Sequence, residues 1–379
     1  MMRIGFVSTY PPIECGIGTY TSYLNEELRR QNTETFIVSQ VGAKGVKVFP
    51  IYWPESISIA AQIFNISAKM TPDIVHIQHE FGLYGSHWGV QVIDLILRYA
   101  LSGVPVVTTL HTVYDDAGSQ QKIILRLIVS ESSAVIVHED YQKEILLKNF
   151  GHEYEDKIHT IHHGVRKILN IKDAKNKLEL EGKKVILLCG YFRPTKGFHR
   201  MVKIFPQIYK KNHDAVLLIA GKSRGLEYMD YQREFFESIN ISTCKDKIIV
   251  LRGQFPQKTF DTILSSSDIV VLPYEKSGPS GILAQCYAFN KPVVTTDLLP
   301  FRLSIERSKG GLIAGSDQEF VENIVELISN DKLRQQFRNN IRNYIKKDVG
   351  WDHVAKSHIK IYQSVVRVPY GRARHVFWE

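Results

Sequence analysis

Short apolar runs alternate with amphipathic stretches along all 379 residues. In the first half, runs at 3–8, 35–39, 74–78, 104–110, 133–138 and 157–165 are too short for helices and rich in Val and Ile, which reads as buried strands. Stretches at 19–30, 57–70, 88–100 and 141–149 carry apolar residues at three- and four-residue spacing and read as helices. The second half repeats the alternation. Strands are expected at 184–190, 215–220, 247–251, 268–272 and 291–296, with helices at 198–211, 226–240, 256–266, 282–289, 317–330, 332–347 and 351–366. Strand–helix alternation in both halves predicts an α/β protein with two doubly wound, Rossmann-like parallel sheets and right-handed crossovers. The length suits two domains. We place them at 1–168 and 169–350, with 351–379 as a C-terminal helix and tail that crosses back to the first domain. The Lys-rich, weakly periodic stretch 168–183 reads as the linker.

Composition narrows the class. A hydrophobic content of 44% is ordinary for a globular chain, and no apolar run approaches the ~20 residues that span a bilayer. The chain enters a strand at once, so no signal peptide is expected. Cys15, Cys189, Cys244 and Cys286 are scattered without Cys-x-x-Cys spacing and read as reduced thiols of a cytoplasmic protein. The net charge of +9 is unevenly spread: residues 1–168 hold 14 Lys+Arg against 17 Asp+Glu, leaving 34 against 22 for the rest. A basic second half favours phosphorylated ligands, an anionic membrane face or nucleic acid. Nucleic acid is the weakest of these, since no zinc-finger spacing, RNA-recognition signature or basic recognition helix is present.

Candidate chemistry lies where strands end, because ligands of such sheets bind beyond the carboxyl edge. After the first strand comes a loop with Gly16 and Gly18, short of a full dinucleotide fingerprint. After 74–78 come His79 and Glu80, and after 104–110 comes His111, so two neighbouring strands end in histidine. No third ligand at fixed spacing accompanies them, so no metal site is expected. In the second half, Arg193 and Lys196 follow the strand 184–190. The strand 268–272 runs into the Gly/Pro/Ser loop from Ser277, and a helix opens near Ser280, Gly281 and Ile282. Two cations and a helix N-terminus on one sheet edge suit a diphosphate. No Gly-x-Ser-x-Gly elbow or Walker-type Gly-Lys-Ser/Thr occurs.

Pro12-Ile-Glu-Cys-Gly-Ile-Gly18, His111, Gly190-Tyr-Phe-Arg-Pro-Thr-Lys-Gly197 and Ser277 to Gln285 followed by Lys291-Pro-Val-Val294 together resemble the family 4 glycosyltransferases of the GT-B fold. The likeness runs over nearly the whole chain. Ser277 and Gln285 stand where that family commonly has two glutamates, and Tyr191 where an arginine often follows the glycine of the phosphate loop. The resemblance implies two Rossmann-like domains facing across a cleft. It also implies retaining transfer of a hexose, of mannose or glucose type, from a nucleotide-diphospho-sugar to a hydroxyl of a glycan or lipid-linked acceptor. No metal or resident cofactor is implied. By the same likeness His111, Arg193, Lys196 and Glu80 would be catalytic. Gly16, Gly18, Ser277, Ser280, Gly281, Ile282 and Gln285 would bind the donor, and His79 and Glu80 would face the acceptor.

Two other readings share this architecture: a non-catalytic module that binds sugar nucleotides or glycans, and a sugar-nucleotide epimerase. The aromatic, basic tail from Arg367 to Glu379 allows peripheral contact with the inner face of the membrane, or docking on the first domain.

Overall fold

The computed structural model describes residues 1–168, 170–223, 228–253, 255–276 and 281–366. The chain divides into two compact units. The first is Met1–Gly164 with the C-terminal helix Trp351–Val365, and the second is Val165–Gly350.

The first unit is built on seven strands: β1 (Arg3–Val7), β2 (Glu34–Gln40), β3 (Val48–Tyr52), β4 (Ile74–His79), β5 (Val106–Leu110), β6 (Ala134–Val137) and β7 (Ile158–Thr160). They lie in the order β3-β2-β1-β4-β5-β6-β7, every pair parallel. The second unit has six: β8 (Lys184–Tyr191), β9 (Ala215–Lys222), β10 (Ile248–Arg252), β11 (Ile269–Leu272), β12 (Val293–Thr296) and β13 (Gly311–Ala314). Their order is β10-β9-β8-β11-β12-β13, again all parallel. In each sheet the strand order reverses once, between β1 and β4 and between β8 and β11. Strands at such a point diverge into helices on opposite faces, which opens a crevice at their carboxyl ends. Both faces of each sheet are covered, so the strands are apolar throughout rather than alternating.

Four elements escape a reading of pattern alone, each for a local reason. β3 contains Pro50, which cannot donate to a ladder, and it lies at the sheet edge where that does no harm. β13 opens on Gly311, where a Cβ would meet the Val293 carbonyl oxygen at 2.4 Å, so the glycine marks close strand approach rather than a turn. The helix Ser119–Glu131 exposes Ile123 and Leu127, which blurs its amphipathic period. The helix Leu299–Ser308 also went unread, because Pro300 sits in its first turn and looks like a breaker.

The expected linker is corrected. Residues 170–183 belong to the second unit. Leu180 is buried in its core, and Lys175 donates to the Asp268 carboxylate at 2.7 Å and to the Lys183 carbonyl. Nearby, the buried Lys291 ammonium donates to the Ser265 and Ser267 carbonyls at 2.9 and 2.7 Å, which caps the end of the helix Gln257–Ser266.

The helix Trp351–Val365 completes the first unit. It packs on the helix Gly16–Arg30, with Trp351, Val354, Ala355, Ile361 and Tyr362 buried against Tyr20, Leu24 and Ile4. The Trp351 and Tyr20 rings meet edge to face at 5.1 Å, and Gly164 lies so close under the indole that a Cβ there would come within 2.5 Å. Trp351→Ala should therefore cost about 3–5 kcal/mol of stability. Urea unfolding followed by far-UV circular dichroism checks this, and a cost under 1 kcal/mol would mean the helix is not part of this core.

Candidate functional site

In the second unit the loops after β8 and β11 are locked together. Gly197 has φ +63°, and a Cβ there would lie 1.9 Å from the Pro273 carbonyl oxygen, so only glycine lets the β8 loop lie against the β11 loop. The Glu275 N–H donates to the Thr195 carbonyl at 3.0 Å, closing the junction from the other side. Between these two contacts runs the single turn Pro194–Lys196, flanked by Arg193.

The two cations of this turn have no carboxylate partner among the described residues. Lys196 instead holds its ammonium 3.5 Å from the centroid of the Tyr274 ring. Burial, reinforced by the Arg193 guanidinium, lowers its pKa to about 8. Arg193 Nε and the Tyr274 hydroxyl are both buried without a hydrogen-bond partner among the described residues. Other cations of this unit are answered by acids: Arg200 by Asp317, Arg302 by Asp297, Lys175 by Asp268. Among the described residues, the two cations at the β8/β11 reversal thus meet no acid, and Arg193 Nε and the Tyr274 hydroxyl lack acceptors.

The helix Gly281–Ala288 starts beyond β11, with Gly281 exposed and Ile282 packed at the edge of the core. Ser277 and Ser280 lie outside the described residues. Gln285, four residues into the helix, accepts a 2.6 Å hydrogen bond from Arg166, which also reaches Asp261 at 3.2 Å. An arginine only donates, so the Gln285 carbonyl faces Arg166 and the amide NH2 is the donor left for another partner. Arg166 was not foreseen. It lies 119 residues from Gln285 in sequence, and no local pattern joins them.

In the first unit the strand reversal is filled from within. The Tyr84 hydroxyl spans the ends of β1 and β4, 2.8 Å from the Gln78 carbonyl and 3.2 Å from that of Val7. Gly16 and Gly18 fall inside the first turn of the helix Gly16–Arg30 rather than in the preceding loop. A Cβ on Gly18 would sit 3.2 Å from the Thr9 and Tyr10 backbone, whereas Gly16 faces open space. Gly18 is therefore a packing glycine in this structure. His79 is the last residue of β4 and 0% exposed, with both ring nitrogens unpartnered and a pKa lowered by burial to about 3. Its neutral ring has no surface toward an acceptor. Glu80, the next residue, is half-buried. Its carboxylate accepts from the Phe81 N–H at 3.1 Å and from the Thr112 hydroxyl.

His111 follows β5, and its N–H donates to the His79 carbonyl at 3.2 Å, so the two histidines do end neighbouring strands. Both His111 ring nitrogens are taken. Nδ1 lies 3.3 Å from His138 Nε2, and Nε2 lies 2.8 Å from Gln78 Oε1, whose Nε2 faces His76. The chain extends both ways, from His138 Nδ1 to the Ile161 carbonyl at 3.0 Å, and from Gln78 to His76 at 3.1 Å. His76 in turn contacts Thr109 at 2.7 Å and the Tyr362 hydroxyl at 2.6 Å. Hydrogen-bond polarity settles the order. A carbonyl only accepts, so His138 carries its proton on Nδ1 and offers Nε2 to an N–H from His111. If His111 is neutral, its Nε2 then needs a donor, which requires the Gln78 amide turned end for end, its NH2 toward His111 and its carbonyl toward His76. If the Gln78 carbonyl faces it instead, His111 must be an imidazolium. Burial, with His138 and His163 adding, holds the His111 pKa well below the ordinary value, which favours the neutral chain.

Among the described residues, no group of three or more His, Cys, Asp and Glu is placed to hold a metal ion, and no helix is long and apolar enough to cross a membrane. Gln78→Glu should place a carboxylate against His111 and convert one buried imidazole to imidazolium at neutral pH. Histidine 15N shifts report this directly. Shifts unchanged from the wild type would overturn the polarity argument.

Comparison with known proteins supplies the lineage. The family described as "Glycosyl transferases group 1" matches residues 170–344, and "Glycosyltransferase Family 4" matches residues 15–167. An uncharacterized glycosyltransferase of Methanocaldococcus jannaschii is 25% identical over 255 residues, 65% of this chain and 62% of that protein. The chain spans about half the length of two further curated relatives. Among solved structures, a glycosyltransferase from Rickettsia africae superposes with a TM-score of 0.76 at 17% identity, covering 97% of this chain and 99% of that one. The Anabaena HepE protein in complex with UDP-glucose superposes with a TM-score of 0.73 at 13% identity, over 96% and 100%. At these identities the structural likeness is one of fold. Family matches across both units, on two sheets of this topology, make the chain a member of the family 4 glycosyltransferases of the GT-B fold.

Proposed function

We propose that the protein is a retaining glycosyltransferase that moves a hexose, of glucose or mannose type, from a nucleotide-diphospho-sugar to an acceptor hydroxyl. The observation that carries this reading is the unneutralised pair Arg193 and Lys196 at the β8/β11 reversal, beside the buried and unpartnered Arg193 Nε and Tyr274 hydroxyl. A diphosphate supplies what that pocket lacks: negative charge for two cations and acceptors for two orphaned donors. The UDP-glucose held by the HepE protein makes uridine donors the first to try.

In the proposed reaction the bond between the donor's anomeric carbon and the diphosphate oxygen breaks. A bond to the acceptor oxygen forms on the same face, and the acceptor's proton passes to the leaving diphosphate. The chain's contribution is electrostatic. Arg193, Lys196 and the N-terminus of the helix Gly281–Ala288 meet charge that grows on the phosphate. Within the second unit, Gln285 offers its NH2 to the nucleotide. His111 and Glu80 would position the sugar and the acceptor. No resident metal or cofactor is called on, since the two cations take the role of neutralising the diphosphate.

Removing one such donor should cost about 3 kcal/mol in the transition state. Lys196→Ala should thus lower turnover about a hundredfold or more with the fold intact. Radiolabelled sugar transfer checks this, and near-normal turnover would sink the assignment.

Binding carries its own pH signature. Lys196 has a pKa near 8 in the free protein, and a bound diphosphate raises it, so binding takes up a proton above that pH. The dissociation constant for UDP should be flat below about pH 8 and then weaken by up to about tenfold per pH unit. Titration calorimetry from pH 7 to 9.5 tests this (a range set by the assay). Lys196→Met should bind weakly with no such slope. A flat profile in the wild type would exclude Lys196 as the titrating contact.

A further inference from the structure

The segment between β4 and the helix Gln91–Leu101 adopts a backbone that bulky residues avoid. His87 has φ 52° and ψ 52°, and Trp88 has φ 59° and ψ 29°, both in the left-handed region. They are flanked by Gly85 at φ 86° and Gly89 at φ 74°. Two consecutive side-chain-bearing residues in that region are uncommon, and the surroundings must hold them there. Gly89 shows how. A Cβ on it would lie 3.0 Å from the Phe81 carbonyl, so the turn is pressed back on the residues that follow β4.

The result is a presented indole. Trp88 Nε1–H donates to the Gln120 side-chain carbonyl at 2.8 Å, and the ring stands nearly perpendicular to Phe81 at 6.0 Å. Its polar edge and one side are therefore fixed, yet the residue remains 46% exposed. A tryptophan whose N–H is satisfied and whose orientation is set, but whose face stays wet, is prepared for a flat apolar partner. The rim is polar. Glu80 immediately precedes Phe81, and its carboxylate is pinned by the Phe81 N–H and the Thr112 hydroxyl. Each carboxylate oxygen keeps a lone pair for a further donor.

We propose that the exposed face of Trp88 is the stacking platform for a pyranose ring of the acceptor, with Glu80 accepting from that ring's hydroxyls. This rests on the transferase reading above and deepens it by making the acceptor a glycan. A pyranose has one face of C–H groups, which suits an indole, and an equator of hydroxyls, which suits a fixed carboxylate and amide. A lipid surface would instead be repelled by an ionised carboxylate beside the apolar contact.

Saturation-transfer NMR with methyl α-glucoside, methyl α-mannoside and their α-linked disaccharides tests the platform without requiring turnover. Wild type should transfer to the C–H protons of one ring face. Trp88→Ala should abolish that transfer, and Trp88→Phe should retain it, with UDP affinity and thermal midpoint unchanged in both. Where a glycoside serves as acceptor, Trp88→Ala should raise its KM about tenfold and leave kcat within about twofold. Equal glycoside binding by wild type and Trp88→Ala would overturn the proposal. So would Trp88-dependent binding to phosphatidylglycerol vesicles with none to glycosides. Glycoside binding that needs Trp88 in a protein that transfers no sugar would uphold the platform and sink the transferase. Transfer unaffected by Trp88→Ala would do the reverse.

Discussion

An ammonium group resting on the face of a tyrosine, rather than against a carboxylate, is the interaction on which the second unit's chemistry depends. A ring attracts Lys196 by about 1–2 kcal/mol when desolvated. Lowering the pKa to about 8 corresponds to a shortfall of roughly 3 kcal/mol for the charged form. The ring therefore orients the cation without neutralising it. Had an aspartate stood there, the site would be quiet and closed to anions. The rest of the loop geometry serves this arrangement. Gly197 lets the turn lie against Pro273, and the Glu275–Thr195 bond holds it. Tyr274 is buried in the core beside Phe301, so the ring beneath the ammonium cannot move away.

The two units share a topology and treat its weak point in opposite ways. Reversal of strand order leaves carbonyl ends and a crevice in both. In the first unit Tyr84 spans the crevice and satisfies its hydroxyl on the Gln78 and Val7 carbonyls. In the second unit Tyr274 follows β11, but its hydroxyl has no partner among the described residues. One tyrosine closes a strand reversal and the other leaves a donor waiting. This difference, rather than the fold, is what favours the second unit for the anionic ligand of the proposed function.

Much of this was legible in the sequence because it is local. Alternating apolar runs announce the strands, and Arg-Pro-x-Lys-Gly after a strand announces a rigid, cationic turn. What was not legible depends on partners far apart in the chain. Nothing around Gln285 says that its carbonyl will be held by Arg166, and nothing around Lys196 says that its neighbour will be a ring. His79 shows the converse failure. A histidine at a strand end looks like a crevice residue, yet one more residue of strand turns it inward beneath Phe81 and Tyr84. Gly16 and Gly18 look alike in sequence, but only Gly18 meets backbone. Proline misleads in both directions: Pro50 hides an edge strand and Pro300 hides a helix start.

The histidine chain of the first unit sets the terms on which His111 can act. One end has a fixed polarity, since the Ile161 carbonyl only accepts, and the Tyr362 hydroxyl at the other adapts to it because it can donate or accept. The neutral chain then has a single consistent direction, with each proton pointing from Tyr362 toward Ile161 and the Gln78 NH2 on His111. A sugar hydroxyl that hydrogen-bonds His111 Nε2 must displace the Gln78 amide and donate in its place, since that nitrogen bears no proton. The displaced amide stays buried between His76 and the incoming group. It must find new partners or lose about 1–3 kcal/mol. Under the proposed transferase reading, His111 would therefore engage a sugar only by displacing Gln78, and the hydroxyl it selects would be one that can give a proton, not one that needs to receive it.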